Sequence, residues 1–154
     1  MKIIIKDTGE KVTSRESERL FEYYYELETG EKLRYKDLAR GKNGKPFVRG
    51  GKKFNLSHSG SYWCMAIGEN EVGVDIEVRR KIRPAMARRI LAPDEEALDG
   101  DLLRTWVLKE AYVKMTGEGL GLDFRKIRVK KIMEQYIVED HSTGEYVCFI
   151  VERQ

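Results

Sequence analysis

Cysteine and histidine are scarce in this sequence, which contains two residues of each. Cys64 and Cys148 lie far apart in apolar, strand-like segments, and neither has a second cysteine or a histidine at the spacing of a zinc ligand set. A zinc site is therefore disfavoured, and both residues are expected to be buried free thiols. Free thiols are typical of proteins from a reducing cytosol.

Long hydrophobic runs are also missing. The segment Met1–Lys6 has too short an apolar run for a signal peptide. No stretch approaches the roughly 20 apolar residues that a membrane-spanning helix requires. We therefore expect a cytoplasmic protein with no membrane partner.

Neither the charge nor the length indicates an unusual class of protein. The net charge is only +3 over 154 residues, so the excess positive charge indicates an anionic partner only where it is clustered. No internal repeat or low-complexity segment is evident. We predict a single globular domain that covers residues 1–154.

The clearest local pattern is a helix predicted for residues 101–116, which ends at Gly117 because glycine accepts a left-handed φ without steric cost. On a helical projection, Glu110 and Lys114 fall inside the apolar sector, whereas Lys109 falls on a polar flank. A surface Glu–Lys pair four residues apart is common and worth about 0.2–0.5 kcal/mol. Charges on a side that faces the core need a further partner.

A second pattern is a strand predicted for residues 72–78, with residues 62–67 as its hairpin partner. Alternation places Gly73, Asp75 and Glu77 on one face, where neighbours are ~6.5–7 Å apart. Gly73 is expected to leave room for a ligand. The two carboxylates indicate either an exposed polar face or a site for a hard cation, and Mg²⁺ fits because it takes few carboxylates plus phosphate oxygens and waters.

Two further segments are candidates for phosphate binding. Residues 41–53 are rich in glycine and lysine and are predicted to form a basic loop. Ser57, His58 and Ser59 follow it, just before a predicted strand. A histidine alone is more often a structural hydrogen-bonding group, but together with two serines it could donate to phosphate oxygens.

The remaining pattern predicts an α+β protein. The other predicted strands are residues 2–6, 126–132, 135–140 and 145–152, and the other predicted helices are 14–28 and a basic helix that begins at Pro84. The segment Arg79–Arg89 is the densest basic run. Such a run is usually a solvated face, and if functional it suits an acidic protein surface or phosphates.

The candidate residues together indicate a Mg²⁺-bound pyrophosphate or polyphosphate. Asp75, Glu77 and Glu110 supply oxygen ligands, and Lys114 lies one turn from Glu110. A cation and Lys114 would neutralise the charge that develops on a phosphate leaving group. Glu110 in an apolar sector is expected to have a raised proton affinity, which suits a general base.

Four segments resemble the motifs of the 4′-phosphopantetheinyl transferases. In chain order they are Gly44-Lys45-Pro46, Phe54-Asn55-Leu56-Ser57-His58-Ser59, Gly73-Val74-Asp75-Ile76-Glu77 and Trp106-x-x-Lys109-Glu110-Ala111-x-x-Lys114. The similarity covers roughly residues 44–125, including the Gly119-Leu120 loop, and is closer to the surfactin-synthetase-activating branch than to the holo-acyl-carrier-protein synthase branch. It implies an α+β fold of that family, with a mixed or antiparallel sheet packed on a long central helix.

The resemblance also implies a reaction, in which the 4′-phosphopantetheine arm of coenzyme A moves to a serine of an apo carrier protein and adenosine 3′,5′-bisphosphate is released. Asp75, Glu77 and Glu110 would hold Mg²⁺, with Mn²⁺ as a substitute. Glu110, directly or through a water, would deprotonate the carrier serine, and Lys114 would stabilise or protonate the departing phosphate. The implied coenzyme A site comprises Lys45, Pro46, Ser57, His58, Asp75, Lys109 and Lys114. The basic run would suit an acidic recognition helix of the carrier.

The sequence departs from that branch before Gly44, where residues 1–43 hold one short strand and one helix, too little for a full first lobe. Residues 44–154 carry the motifs. Either the first lobe is reduced, or a second copy of the chain completes the wall of the site. Arg15 or Arg34 could replace the basic residues that the first lobe normally gives to the 3′-phosphate.

Three other functions remain open at this point. The first is a Mg²⁺-dependent phosphohydrolase that uses the same acidic residues on a pyrophosphate. The second is an inactive relative that acts as a binding module. The third, a nucleic-acid-binding module, is disfavoured because aromatic residues are not interleaved with the basic run. Fatty-acid, polyketide and peptide-synthetase carriers all present a similar serine, so the sequence names no carrier.

Overall fold

Two three-stranded antiparallel sheets form the framework of the fold. In the computed structural model, the backbone is described for residues 1–154 and the side chains for all of these except Leu120. The strands of the described chain are β1 (Lys2–Asp7), β2 (Ala39–Arg40), β3 (Pro46–Phe47), β4 (Lys53–Ser59), β5 (Tyr62–Gly68), β6 (Val72–Val78), β7 (Tyr136–Asp140) and β8 (Tyr146–Arg153). Its α-helices are α1 (Ser14–Thr29), α2 (Ala87–Ile90), α3 (Leu102–Thr116) and α4 (Val129–Gln135). The α+β prediction is therefore confirmed.

The two sheets belong to two units of the same topology. The N-terminal unit, residues 2–68, runs β1, α1, β4, β5 with strand order β1-β5-β4. The C-terminal unit, residues 72–153, runs β6, α3, β7, β8 with strand order β6-β8-β7. In each unit the last strand lies in the middle of the sheet. The break between the units falls at residues 69–71, so the first unit extends well beyond Gly44.

The layers are α1, the first sheet, the second sheet and α3. Trp63, Met65 and Ile67 of β5 pack with α1, whereas Cys64 and Ala66 face the second sheet. On β8, Val147, Phe149 and Val151 pack with α3, whereas Cys148 and Ile150 face the first sheet. This alternation follows from the two-residue period of a strand. It also buries both cysteines, as predicted.

Local capping explains why the two long helices begin and end where they do. The Thr13 side chain accepts a hydrogen bond from Glu16 N at the start of α1. Asp101 caps α3, and Gly117 ends it with φ 72°. The predicted bounds of both helices are confirmed to within a residue or two. Within the described chain no helix has the combined length and apolar character needed to cross a membrane.

Two predicted features are wrong. β5 pairs with β1 and β4 rather than with β6, and β6 pairs with β8. Residues 129–135 form α4 rather than part of a strand. Val129 and buried Ile132 are spaced as on one helix face, and Val129 N donates to the Glu95 carboxylate at 2.8 Å. Both errors concern contacts with residues distant in sequence.

Gly73 lies where the backbone of α3 crosses β6. A Cβ at this position would stand 2.0 Å from Ala111 O and 2.3 Å from Met115 N. The space that we expected to receive a ligand is therefore filled by the helix. This close approach fixes the distance between α3 and β6. It therefore also fixes where the neighbouring residues of α3 lie at the junction between the units.

We expect Gly73→Ala to lower the free energy of unfolding by about 1–3 kcal/mol or more, because α3 must move away from β6. Gly144→Ala is the matched control, since its Cβ would meet nothing within 4 Å and its φ is not positive. Urea denaturation of both variants measures the effect. Equal stability of the two would contradict the close approach.

Candidate functional site

Side-chain oxygens of β4 accept hydrogen bonds from alternate backbone N–H groups of β6. The pairs are Val74 N to Asn55 Oδ1 at 2.8 Å, Ile76 N to Ser57 Oγ at 3.2 Å and Val78 N to Ser59 Oγ at 3.0 Å. We call these three bonds the side-chain ladder. The residue numbers rise together on both strands, so β4 and β6 run parallel. The ladder joins the inner face of β4, in the first sheet, to the edge strand β6 of the second sheet.

The same serines also contact the two acidic residues of β6. Ser57 Oγ donates to Asp75 Oδ1 at 3.0 Å, and Ser59 Oγ donates to Glu77 Oε2 at 3.3 Å. Asp75 is only 7% exposed. Its second oxygen, Oδ2, is buried and has no hydrogen-bond partner among the described residues. A buried carboxylate oxygen without a partner is costly, which is typical of a functional site.

A cleft of about 290 Å³ opens where the two units meet. The N-terminal unit lines it with Tyr35, Asn43, Gly44, Lys45, Pro46, Asn55 and Leu56, and the C-terminal unit with Glu110, Val113, Lys114, Gly117 and Gly119. The structure therefore brings together Lys45, Pro46, Glu110 and Lys114 of the predicted site. The side chain of Leu120, in the loop with Gly119, lies outside the described residues.

Glu110 and Lys114 occupy the face of α3 that turns toward this cleft. Lys114 Nζ donates to Leu56 O at 2.7 Å and lies 3.8 Å from Asp75 Oδ1. Burial raises the pKa of Glu110, Lys114 opposes that shift and Glu77 adds to it. Glu110 thus holds a proton more tightly than an ordinary carboxylate. It is therefore a candidate general base beside the Lys114 ammonium.

Burial also raises the pKa of Asp75 to about 7, against the lowering effect of Lys114. Glu77 and Glu110 raise it further, and the hydrogen bond from Ser57 lowers it. The three carboxylates are therefore close enough to repel one another. Such mutual repulsion is relieved by protonation or by a cation.

The three carboxylates fit a hard divalent cation by their chemistry and by the unpartnered Asp75 Oδ2. In the conformation described, however, no three Asp, Glu, His or Cys side chains among the described residues converge as a metal cluster. Glu77 accepts a hydrogen bond from Ser59 rather than approaching the other two carboxylates, and its Oε2 lies 3.9 Å from Arg80.

Lys45 lines the cleft, but its ammonium group is occupied by protein oxygens. Nζ donates to Glu71 Oε2 at 3.3 Å, Val72 O at 3.1 Å and Met115 O at 3.4 Å. Burial lowers the pKa of Lys45, and Glu71 opposes that shift. All three donors of the lysine are used, so in this arrangement it ties the loop of the N-terminal unit to the end of α3.

Two residues predicted for phosphate are placed elsewhere, and we correct both assignments. Lys109 is fully buried, and Nζ donates to Ile90 O at 2.7 Å, to Phe124 O at 3.2 Å and to the Glu95 carboxylate. Ser57 gives its single proton to Asp75 and is not part of the cleft lining. Neither has a donor left for a phosphate.

His58 lies on the opposite face of β4 from Ser57 and is exposed. Partial desolvation and the Lys114 ammonium lower the pKa of its imidazole. Leu56, two residues earlier on the same face of β4, lines the cleft, whereas His58 itself does not. Its assignment to a phosphate stays a prediction.

Sequence reasoning missed three residues that organise the site. Asn55 is the first acceptor of the side-chain ladder, and Asn43 Nδ2 donates to Gly117 O at 2.8 Å across the cleft. Glu95 binds Lys109 from a distant loop. The alternation of Asn55 with the two serines was the one available signal, because alternate strand residues share a face.

Comparisons with known proteins agree on one family. The sequence matches the model of the 4′-phosphopantetheinyl transferase superfamily over residues 71–151. It is 38% identical over 90 residues to the 4′-phosphopantetheinyl transferase psf-1 of Bacillus pumilus, an alignment that covers 51% of this chain and 39% of the relative. It is 26% identical over 106 residues to the 4′-phosphopantetheinyl transferase Sfp of Bacillus subtilis (strain 168), covering 63% and 47%.

A third relative is the 4′-phosphopantetheinyl transferase gsp of Aneurinibacillus migulanus, 27% identical over 113 residues, which covers 68% of this chain and 48% of the relative. The chain thus spans about half the length of the curated relatives it matches.

The raised pKa of Asp75 predicts how stability depends on pH. The folded pKa of about 7 lies above the ordinary value of 3.8, so the folded state holds this proton more tightly. In EDTA, the free energy of unfolding should therefore fall between about pH 4 and pH 7, at up to about 1.4 kcal/mol per pH unit for one proton. Asp75→Asn should remove this pH dependence, so the free energy of unfolding of the variant should increase relative to that of the wild type as the pH rises. Urea denaturation at pH 5 and pH 8 tests this, and parallel pH profiles would contradict it.

The buried contacts of Lys109 predict a structural role. Lys109→Met leaves the Glu95 carboxylate without its cation, so we expect a loss of about 3–5 kcal/mol in the free energy of unfolding. Lys130→Met changes an exposed lysine on α4 and should stay within about 0.5 kcal/mol of the wild type. Thermal and urea unfolding measure both variants. A Lys109→Met protein of normal stability would contradict this structural role.

Proposed function

The chain belongs to the 4′-phosphopantetheinyl transferase superfamily and is similar to its Sfp-type, surfactin-activating branch. We therefore propose that it transfers the 4′-phosphopantetheine arm of coenzyme A to a serine of an apo carrier protein. Adenosine 3′,5′-bisphosphate is the second product. The observation that carries the proposal is the cleft between the units, where Glu110 and Lys114 lie opposite the Gly44-Lys45-Pro46 loop.

Glu110 is the proposed general base. Its pKa is raised by burial, and a base whose pKa lies nearer the working pH accepts a proton more effectively. It lines the cleft, so it can receive the proton of a carrier serine directly or through a water. The serine oxygen then attacks the phosphorus that bears the pantetheine arm, and the bond to the bisphosphate oxygen breaks.

Lys114 is proposed to stabilise the leaving group. Its ammonium donates a hydrogen bond to Leu56 O, so its position is already fixed before the reaction begins. A fixed positive charge in a partly water-excluded cleft stabilises the negative charge that develops on the departing phosphate. The same group can donate a proton to that oxygen.

Asp75, Glu77 and Glu110 are proposed to hold Mg²⁺, for which Mn²⁺ can substitute. The support is the buried, unpartnered Asp75 Oδ2 and the mutual repulsion of the three carboxylates. A bound divalent cation supplies charge neutralisation for the pyrophosphate of coenzyme A.

We retain Lys45, Pro46, His58 and Lys114 as the proposed contacts of coenzyme A, and Asp75 as a contact through the cation. Lys45 would exchange one of its protein acceptors for a phosphate oxygen. Both walls of the cleft come from one chain, which supports a site complete within a single copy. A homo-oligomer that completes the site remains the alternative.

An acidic carrier surface is the proposed partner of the basic run. Arg80, Lys81, Ile82, Arg83, Met86, Ile90 and Trp106 line a groove of about 310 Å³ with an apolar floor and a basic rim. Arg80 also lies 3.9 Å from Glu77, so this groove adjoins the acidic residues. A carrier helix docked there would lie beside the proposed site. We place the reaction in the cytoplasm.

Intact-mass spectrometry of an apo carrier protein incubated with this protein, coenzyme A and Mg²⁺ tests the proposal. We expect the carrier to gain the mass of one phosphopantetheine arm. Glu110→Gln should slow the gain by about 10²–10⁴-fold, the usual contribution of a general base, and Lys114→Met should also slow it. Lys130→Met and Glu134→Gln, which alter an exposed pair of the same spacing on α4, should not.

The outcome also separates the alternatives. No mass gain with fatty-acid, polyketide and peptide-synthetase carriers would contradict the transferase. Cleavage of coenzyme A without a carrier would then indicate the Mg²⁺-dependent phosphohydrolase. Binding of coenzyme A without either reaction would indicate an inactive relative.

A further inference from the structure

Ser57 and Ser59 make the same pair of hydrogen bonds, two residues apart. Each hydroxyl accepts from the N–H of one β6 residue and donates to the carboxylate of the residue before it. The acceptors of those protons are Asp75 and Glu77. The repetition follows from two parallel strands whose alternate residues face each other. Each carboxylate of β6 thus has its own serine on β4.

A seryl hydroxyl has one proton, so its orientation is fixed once that proton is given away. In Ser57 the backbone N–H occupies a lone pair and Asp75 Oδ1 takes the proton. The bond holds Asp75 by one oxygen. The other oxygen, Oδ2, is left buried and unpartnered among the described residues.

We propose that Ser57 and Ser59 are positioning residues that hold the carboxylates of Asp75 and Glu77 in place for a divalent cation. This inference depends on the proposed cation site and replaces the phosphate-binding role expected for Ser57. Partners that orient the ligands of a metal are often nearly as important as the ligands themselves. Here the partners come from the N-terminal unit and the carboxylates from the C-terminal unit.

Burial supports action through the carboxylates rather than on a ligand. Ser57 is only 8% exposed, does not line the cleft, and has no second proton to donate. Ser59 is half-buried and makes the equivalent bonds. Loss of either hydroxyl would free its carboxylate to rotate and would leave one N–H of β6 without an acceptor.

The test is the dissociation constant of Mn²⁺ alone for the full chain, measured by electron paramagnetic resonance of the free ion. We expect Ser57→Ala to weaken Mn²⁺ binding about 10–100-fold, the usual cost of losing a partner of a metal ligand. Ser57→Thr keeps the hydroxyl and should restore most of the affinity. Ser17→Ala is the matched control, because it removes a buried seryl acceptor of Trp63 Nε1 far from the carboxylates. It should lower stability without changing Mn²⁺ affinity.

A double variant separates positioning from a general loss of stability. In an Asp75→Asn background, Ser57→Ala should change Mn²⁺ affinity little further, because the carboxylate it holds is gone. If Ser57→Ala does not fold, Ser59→Ala provides the same comparison through Glu77.

Folded Ser57→Ala and Ser59→Ala proteins with wild-type Mn²⁺ affinity would overturn the inference while leaving the cation site intact. A wild type that binds no Mn²⁺ would overturn the inference and the cation site together. Carrier modification is measured separately by mass, so failure of the proposed reaction is distinguishable from both results.

Discussion

The side-chain ladder between β4 and β6 is the constraint on which the rest of this structure depends. The second sheet ends at the edge strand β6, whose outward backbone N–H groups need acceptors, and leaving such groups buried without partners is costly. Asn55, Ser57 and Ser59 supply those acceptors at every second residue. The ladder joins two units of the same topology and places the cleft at their boundary.

The same junction places charge where the fold would otherwise be apolar. Asp75 is buried with one unpartnered oxygen, and its carboxylate repels those of Glu77 and Glu110. The packing of α3 against Gly73 keeps these groups together rather than letting them separate into solvent. The buried and mutually repelling carboxylates lower the stability of the fold, which is common at sites that bind a charged ligand. Lys114 offsets part of the cost, and the proposed cation would offset more.

Local signals were sufficient for some of this structure and insufficient for the rest. Gly117 marked the end of α3, and strand alternation placed Asp75 and Glu77 on one face, because these patterns depend only on neighbouring residues. The pairing of β5 with β6 was wrong, since partner strands are chosen by packing across the whole fold. Lys109 was predicted to lie on a polar flank, but α3 is buried on nearly all sides. Only the contact with the distant Glu95 shows where the charge of Lys109 is neutralised. Ser57 was assigned to phosphate because its nearest partner, Asp75, comes from the other unit.

Amide hydrogen exchange of Val74, Ile76 and Val78 tests the ladder most directly. Their N–H groups lie on the edge of β6 that faces β4, and side chains alone accept from them. The account predicts slow exchange at all three in the wild type, with selective loss of protection at Ile76 in Ser57→Ala. Rapid exchange at all three in the wild type, as on an open strand edge, would contradict the ladder and with it the placement of the site between the two units.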